Sequence, residues 1–195
     1  MPKIKYDSKI YPLLQIKDKN LFKEILEYLK PRPEDKILEI GCGRGFLTKE
    51  MQKIAPATIG IDINAKAIEK GVAQNLKVMD AIKIDFPAAS FDKIYSCHTI
   101  EHIKEVDKFL KETERVLKPG GKAFLVYPYE IVRGTGAIIA SLILFGDVSS
   151  CRKIHVHKLN PKKIQKMLGS TKLKHVKSRF SLFQTPQYFT LLEKV

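Results

Sequence analysis

Residues 36–48 read Lys-Ile-Leu-Glu-Ile-Gly-Cys-Gly-Arg-Gly-Phe-Leu-Thr. The apolar run from Ile37 to Ile40 is long enough for a buried strand and too short for a helix. Three glycines follow at once, and then Phe46, Leu47 and Met51 recur at helical spacing. We therefore predict a strand, a tight glycine turn and a helix, which together form the first βα unit of an open parallel sheet.

The spacing of the glycines distinguishes two classes of ligand. A dinucleotide site has the pattern Gly-x-Gly-x-x-Gly, and its third glycine lets the helix pack closely on the strand. Phe46 occupies that position here, and its ring is too bulky for such packing. The glycines instead follow the pattern Gly-x-Gly-x-Gly from Gly41 to Gly45, with Glu39 two residues before the first. This argues against a nicotinamide dinucleotide as the ligand.

Length and composition indicate a cytoplasmic protein with one domain. The chain has 195 residues, enough for one domain with a sizeable core. Its three cysteines have no paired spacing, so we expect no disulfide framework and a reducing compartment. The N-terminus lacks the apolar run of a signal peptide. The longest apolar stretch, Ala137 to Phe145, is far shorter than the roughly 20 residues that a membrane-spanning helix needs.

Positive charge is concentrated in the last quarter of the chain. The formal net charge is +14, and residues 151–195 hold eleven Lys or Arg but a single acid, Glu193. The first 150 residues carry 24 basic and 20 acidic groups. Such asymmetry favours an anionic partner, namely nucleic acid, a membrane surface or a phosphorylated substrate. A solvated, lysine-rich surface that aids solubility explains it equally well.

Acidic residues follow two of the later predicted strands. The further buried strands are predicted at Ala57–Asp62, Leu76–Met79, Phe91–Cys97 and Ala123–Tyr127. Asp62 lies 21 residues beyond Gly41, where acids of nucleoside-binding sheets accept hydrogen bonds from ribose hydroxyls. Asn64 can cap the next helix, which weakens a purely structural interpretation of Asp62. Asp80 directly follows the third strand, and Asp85 is its competitor for a ligand contact.

Four motifs together carry a family resemblance. They are Ile-Leu-Glu-Ile-Gly-Cys-Gly-Arg-Gly, Gly-Ile-Asp, Phe-Asp-Lys-Ile-Tyr-Ser with Ile-Glu-His, and Leu-Lys-Pro-Gly-Gly. In this order and spacing, residues 36–128 resemble the small class I S-adenosylmethionine (SAM) dependent methyltransferases, a group that includes quinone-biosynthesis enzymes. The resemblance implies one α/β domain of Rossmann-like fold. Its sheet would be mostly parallel, with seven strands, helices on both faces and an antiparallel last strand.

The resemblance also implies a cofactor site for SAM, with S-adenosylhomocysteine as product. Gly41 and Gly43 would approach the methionine part of SAM, and Glu39 would support that end. Asp62 would hold the ribose, and Asp80 would meet the adenine amino group. The other implied cofactor-binding residues are Cys42, Ile63, Ala81, Ser96 and Cys97.

Two histidines after the fourth strand are candidate catalytic residues. His98, Glu101 and His102 spell His-x-x-Glu-His, an inverted zinc-protease signature. That signature needs a well-formed helix and a further ligand, whereas these residues lie at a predicted strand-to-helix junction. We therefore expect no metal, and expect His98 or His102 to line the cofactor or substrate pocket. A structural role for His102, capping the helix, is equally open.

Residues 129–160 are expected to form a substrate-side insertion. Tyr127, His155 and His157 are candidate substrate-binding residues, and the two histidines alternate as they would on one face of a strand. A metal site that adds His175 is conceivable, but only Cys151 could complete it. The predicted single domain, 1–195, then divides into an N-terminal arm and helix (1–35), a SAM-binding core (36–128), the insertion (129–160), and a C-terminal helix with a closing hairpin (161–195).

The function that these features favour is methyl transfer from SAM to a small or lipid-like acceptor, such as a prenylated quinone precursor. The apolar segment and the basic C-terminal part suit an apolar acceptor or an anionic membrane surface. Two alternatives stay open. One is a non-catalytic subunit that binds SAM or a partner, and the other is an RNA methyltransferase.

Overall fold

The computed structural model describes residues 19–131, 138, 141–142, 146–149, 151, 155–182 and 186–195. Seven strands form one sheet: β1 (Ile37–Ile40), β2 (Ile59–Asp62), β3 (Leu76–Val78), β4 (Phe91–Cys97), β5 (Leu117–Pro128), β6 (Leu173–Ser181) and β7 (Gln187–Lys194). The α-helices are α1 (Lys19–Leu29), α2 (Phe46–Gln52), α3 (Ala65–Glu69), α4 (Val106–Val116) and α5 (Pro161–Met167). Short 3-10 helices span Ile100–His102 and Leu168–Ser170.

The strand order is β3-β2-β1-β4-β5-β7-β6. Strands β1 to β5 run parallel to one another, and β7 lies antiparallel to both β5 and β6. This confirms the predicted seven-stranded, mostly parallel sheet with an antiparallel last strand. Because parallel strands end at a common edge, the segments that follow β1 to β5 all reach the same side of the sheet.

Two hydrophobic cores lie on opposite faces of the sheet. Successive side chains of a strand point to opposite faces, so the neighbours Ile94 and Tyr95 on β4 enter different cores. Helices α4 and α5 pack on the face that Ile94 enters. Helices α1 and α2 pack on the face that Tyr95 enters. The predicted arrangement of helices on both faces is thus confirmed.

Helix ends follow the expected capping chemistry. The side chain of Asn64 accepts a hydrogen bond from the Lys66 amide at the start of α3, as the sequence suggested. Asn160 does the same for Lys163 at the start of α5, where Pro161 is the first helical residue.

The fifth strand is longer than predicted. The sequence predicted this strand only over Ala123–Tyr127, but β5 begins at Leu117, which pairs with Phe91. The register then shifts before Lys93 pairs with Lys122, and Gly120 within the shift has a φ of 72°. The full burial of Leu117 explains the difference, because its side chain packs in the core where an exposed turn was expected.

Some predictions fall outside the described residues. Residues 1–18 of the N-terminal arm and most of the apolar segment from Ala137 to Phe145 are among them. Within the part of the chain that the structure describes, no helix has the length and apolar character needed to cross a lipid bilayer.

Candidate active site

The glycine loop after β1 is shaped by left-handed backbone and by a close neighbour. Gly41, Gly43 and Gly45 have φ values of 79°, 54° and 76°, a region that side chains with a Cβ rarely adopt. A Cβ on Gly41 would lie 2.0 Å from Oγ1 of Thr99, which follows β4. The loop therefore packs directly against the segment that carries His98.

Asp62, the last residue of β2, fixes the glycine loop and keeps spare acceptor capacity. Its Oδ2 accepts a hydrogen bond of 2.7 Å from the Gly43 amide, and its Oδ1 accepts one of 2.8 Å from the Asn64 amide. A carboxylate can accept about four hydrogen bonds. The half-buried Asp62 can thus still accept from a diol, which fits the predicted ribose contact.

Apolar and acidic groups lie beside Asp62 at the ends of β2 and β3. The side chain of Ile63 is 69% exposed, unusually high for a large apolar residue next to a structured loop. Asp80 is half-buried, and its Oδ1 accepts a 3.0 Å hydrogen bond from the Ile82 amide. An exposed apolar side chain with an acid nearby suits a flat heterocycle that carries an amino group.

Glu39 precedes the glycine loop, and its buried carboxylate is not exposed to a ligand in the loop. It is only 3% exposed, Thr48 Oγ1 donates to its Oε2, and the Tyr95 hydroxyl donates to the same oxygen at 3.0 Å. Burial raises the pKa of Glu39 to about 7, although both hydrogen bonds act in the opposite direction. Glu39 therefore joins β1 to α2 and β4, and any support of a ligand passes through these partners.

Two predicted cofactor residues have side chains directed elsewhere. Ser96 is buried, and its Oγ donates to the Ile40 carbonyl at 2.9 Å. Cys42 is buried as well, and burial raises the pKa of its thiol. A ligand in the loop would meet these residues through their backbone. Cys97, at the end of β4, is only partly buried.

His98 is positioned at the mouth of β4 by contacts on both ring nitrogens. It has a φ of 51°, and its amide donates to the Val126 carbonyl at 2.9 Å. Its Nε2 lies 3.0 Å from the side-chain amide of Gln187, and its Nδ1 lies 3.6 Å from Oε1 of the buried Glu101. The side chain is 39% exposed, so a substrate proton could reach the ring.

The electrostatics of Glu101 support a charged carboxylate beside His98. Burial by itself would raise the pKa of Glu101, but the neighbouring His98 and His102 together lower it below its usual value. A negative charge at this point favours a histidine that holds a proton on Nδ1 or accepts one on Nε2. Glu101 is therefore placed to orient the ring of His98 through Nδ1.

The histidines after β5 differ from expectation. Residues 155–160 form no strand, so His155 and His157 do not share a face. The Nδ1 of His155 lies 2.7 Å from Oε1 of Glu130, whereas Nε2 of His157 lies 3.0 Å from the Lys104 carbonyl. Burial lowers the pKa of His155 and favours its neutral form.

Two of the candidate substrate-binding residues are therefore corrected. The side chain of His155 is buried and does not line an open pocket. Tyr127 is fully buried in the core, with its hydroxyl 2.8 Å from Thr190 Oγ1 on β7. Alternation along a strand shows which side chains share a face of the sheet. It does not show whether other elements bury that face.

An exposed apolar surface that the sequence did not predict lies where β5 and β6 end and β7 begins. The rings of Tyr129, Phe180 and Tyr188 pack within 5.2 to 5.8 Å of one another at the carboxyl end of β5. Ile131 and Leu182 are 71% and 74% exposed. We call these five residues the aromatic patch. The neighbouring strands β5, β7 and β6 contribute to it, although β5 is far from the other two in the sequence, and the clustering of Tyr and Phe near the ends of these strands was the available signal.

Comparisons with known proteins give the same assignment for the core. Residues 38–125 match the family described as "Methyltransferase domain". A ubiquinone biosynthesis O-methyltransferase of Pelagibacter ubique is 35% identical over 105 residues, 49% of this chain and 43% of that protein. A sterol 4-C-methyltransferase of Caenorhabditis elegans is 33% identical over 119 residues, 56% of this chain and 35% of that protein. The chain thus spans about half the length, or less, of these curated relatives.

A solved structure extends the similarity of fold beyond the matched core. Geranyl diphosphate C-methyltransferase from Streptomyces coelicolor, crystallised with Mg²⁺, geranyl diphosphate and S-adenosylhomocysteine, superposes with a TM-score of 0.73. The match covers 97% of this chain and 83% of that one at 12% identity, so it bears on the fold alone. Together with the sheet order and the glycine loop, these matches support the predicted resemblance: residues 38–125 match a methyltransferase domain, within a sheet that has the class I SAM-dependent methyltransferase fold.

Proposed function

We propose that this protein transfers a methyl group from SAM to a small or lipid-like acceptor that binds against the aromatic patch. The observation that carries the proposal is that Asp62, the glycine loop and His98 meet at one edge of the sheet. Asp62 holds the loop and keeps free lone pairs, and Thr99 brings the His98 segment into contact with Gly41. Cofactor and acceptor would thus meet where β1 and β4 end.

The residues suit the parts of SAM. Asp62 would accept from the ribose hydroxyls, and Ile63 and Ala81 would flank the adenine while Asp80 meets its amino group. Gly41 and Gly43, which have no side chains, would let the methionine part lie against the backbone. SAM, when bound, supplies the methyl group on a positively charged sulfur, and its transfer needs mainly alignment of the two reactants.

His98 would act as the general base for an O–H or N–H acceptor. With its N–H on Nδ1 toward Glu101, the exposed ring would take the proton of the acceptor on Nε2, in place of the contact with Gln187 Oε1, and Glu101 would stabilise the resulting imidazolium. His102 was the other candidate. Its ring packs 5.0 Å from that of the buried His155, whereas His98 lies at the mouth of β4 directly before Thr99, which contacts the glycine loop, so His98 is the better assignment.

The aromatic patch supports an acceptor with an apolar body. Gln187, which contacts His98, directly precedes Tyr188 of the patch on β7, although the two side chains point to opposite faces of the sheet. The two curated relatives described above are named for ubiquinone biosynthesis and for a sterol, both apolar molecules. A lipid-like acceptor is consistent with both lines of support.

Exposed lysines on α5 and β6 support contact with an anionic surface. Lys162 and Lys166 on α5 and Lys172 and Lys174 next to or on β6 are all exposed. A membrane surface fits both this charge and an apolar acceptor. RNA fits the charge and is the second candidate, and a non-catalytic SAM-binding subunit is the third.

The deciding experiment is methylation of cell extract with SAM that carries a labelled methyl group, followed by separation into lipid, RNA and protein fractions. We expect label in the lipid fraction with the wild type and none with Asp62→Ala. Asp62→Asn should keep one hydrogen bond to the loop, stay folded and lose most SAM affinity. Label in RNA would favour the second candidate. SAM binding measured by calorimetry without labelling of any fraction would favour the third.

A further inference from the structure

A second cluster of polar side chains lies behind His98. Glu101, His102 and His155 each offer one ligand atom, and these atoms all lie within 4.8 Å of one another. Glu101 and His102 belong to the 3-10 helix after β4, whereas His155 returns from far along the chain. The Val156 amide donates to the Glu101 carbonyl at 2.9 Å and fixes the return segment there.

The orientation of His155 leaves one nitrogen for a ligand. Its Nδ1 lies 2.7 Å from Oε1 of Glu130, which is only 2% exposed. A histidine that donates its other N–H to a carboxylate is the usual arrangement around protein-bound zinc, because the carboxylate fixes the ring and makes the ligand nitrogen more basic. Nε2 of His155 is therefore the ring nitrogen left to coordinate an ion.

Glu101 supplies the second independent observation. Its side chain is 2% exposed, and its Oε2 accepts no hydrogen bond from the residues that the structure describes. Burying a carboxylate oxygen without a hydrogen-bond partner destabilises the folded state. A bound cation would offset that loss of solvation. Oε1 of the same group lies 4.0 Å from Nε2 of His102.

We propose that Glu101, His102 and His155 bind one divalent transition-metal ion of the zinc class, with Glu130 orienting His155. Two imidazoles and one carboxylate form a donor set that zinc accepts in tetrahedral geometry, with a position left for water. Ligands about 2.1 Å from zinc stand about 3.4 Å apart, so the three side chains would close inward by roughly an ångström. The His102 side chain is 41% exposed and gives the ion a path from solvent.

The proposed site departs from the inverted zinc-protease signature. His98, the first residue of that signature, is held between Gln187 and Glu101 at the mouth of β4. The third ligand comes from the segment after β5 instead. The ion would thus connect that segment to the motif beside His98, and hydrolysis is not implied.

Calorimetric titration of chelator-treated protein with ZnCl₂ tests the site directly. We expect one equivalent to bind to the wild type, and binding to weaken at least a hundredfold in His102→Ala and His155→Ala. Glu130→Gln should weaken it tenfold to a hundredfold. His175→Ala is the matched control, because His175 lies on β6 and contacts Ser178. It should bind zinc like the wild type.

A second measurement keeps the test independent of methyl transfer and of folding defects. His102→Ala changes a half-exposed side chain and should keep the wild-type circular dichroism spectrum. Zinc should raise the melting temperature of the wild type and of His175→Ala but not that of His102→Ala. The proposal is overturned if the wild type binds no stoichiometric zinc. It is equally overturned if both His102→Ala and His155→Ala retain the wild-type affinity.

Discussion

Among single residues, Glu39 is expected to dominate the pH dependence of stability near neutrality. Its pKa in the folded protein is raised from 4.5 to about 7 by burial. Its contribution to the free energy of unfolding is therefore complete below pH 4.5 and is lost as the pH rises through 7. A shift of this size corresponds to about 3 kcal/mol. We expect Glu39→Gln, which cannot ionise, to remove this loss.

Urea unfolding at pH 5 and pH 8 measures the effect. The difference between wild type and Glu39→Gln isolates Glu39 from groups that titrate in both proteins, such as His155. Burial lowers the pKa of His155, so its contribution to stability grows as the pH rises. Glu34→Gln is the control, since its side chain is 67% exposed. Equal pH slopes in wild type and Glu39→Gln would contradict the assignment.

Replacing the single residue His98 is expected to change the rate of methyl transfer. If His98 removes the acceptor proton, His98→Ala should lower kcat by about 10²- to 10⁴-fold. SAM affinity should stay within about twofold of wild type, because His98 is assigned to the acceptor side. Labelling of the lipid fraction and calorimetry give the two readings. A fall in SAM affinity with unchanged kcat would place His98 in the cofactor site instead.

At the scale of an element, the glycine loop depends on two separate constraints. Gly41 combines a positive φ with a clash that a Cβ would make against Thr99. Gly120 has a similar φ of 72° but nothing within 4 Å of the added Cβ. Gly120→Ala should therefore cost about 1 kcal/mol from backbone strain alone. Gly41→Ala should cost about 1 to 3 kcal/mol more from overpacking.

Thermal or urea unfolding of the two alanine variants checks this comparison. Adding Thr99→Gly to Gly41→Ala removes the neighbouring side chain, so the double variant should recover most of the excess cost over Gly120→Ala. No recovery would mean that the contact with the segment after β4 does not shape the loop.

The elements also show what a sequence can and cannot predict. Strands β1 and β2 were predictable because their apolar runs end at a glycine and at an acid, and parallel strands bring such ends to one edge. The start of β5 at Leu117 was missed, since Pro119, Gly120 and Gly121 are typical of a turn. The pairing that makes this segment a strand comes from Phe91, which local sequence does not reveal.

Some features of the candidate site residues could be predicted from the sequence, and others could not. The role of Asp62 follows from its place after β2, and the structure adds the contacts to Gly43 and Asn64. The partners of His155 could not be predicted, because Glu130 and Glu101 reach it through the fold and not through a sequence period. Tyr127 follows the expected alternation of side chains along β5. Its side chain is nevertheless fully buried in the core and cannot contact a substrate.

For the whole molecule, the two faces of the sheet differ in what they can contact. Helix α5 packs on the same face as α4, and its exposed side carries Lys162 and Lys166. Helices α1 and α2 cover the opposite face and carry the exposed Lys23 and Lys49. If the protein takes its acceptor from an anionic membrane, the lysines of α5 should matter more than those of the other face, although both pairs contribute equally to net charge.

This difference gives a test at constant net charge. Each lysine near an anionic membrane contributes about 1 kcal/mol, so Lys162→Gln with Lys166→Gln should weaken binding to vesicles rich in phosphatidylserine by about thirtyfold. The matched pair Lys23→Gln with Lys49→Gln should weaken it only slightly. Vesicle sedimentation at low and high salt measures both, and the wild-type affinity should fall as salt screens the charges. Equal losses in the two double variants would show that net charge, and not the face formed by α5, sets the attraction, and the basic residues would then serve solubility alone.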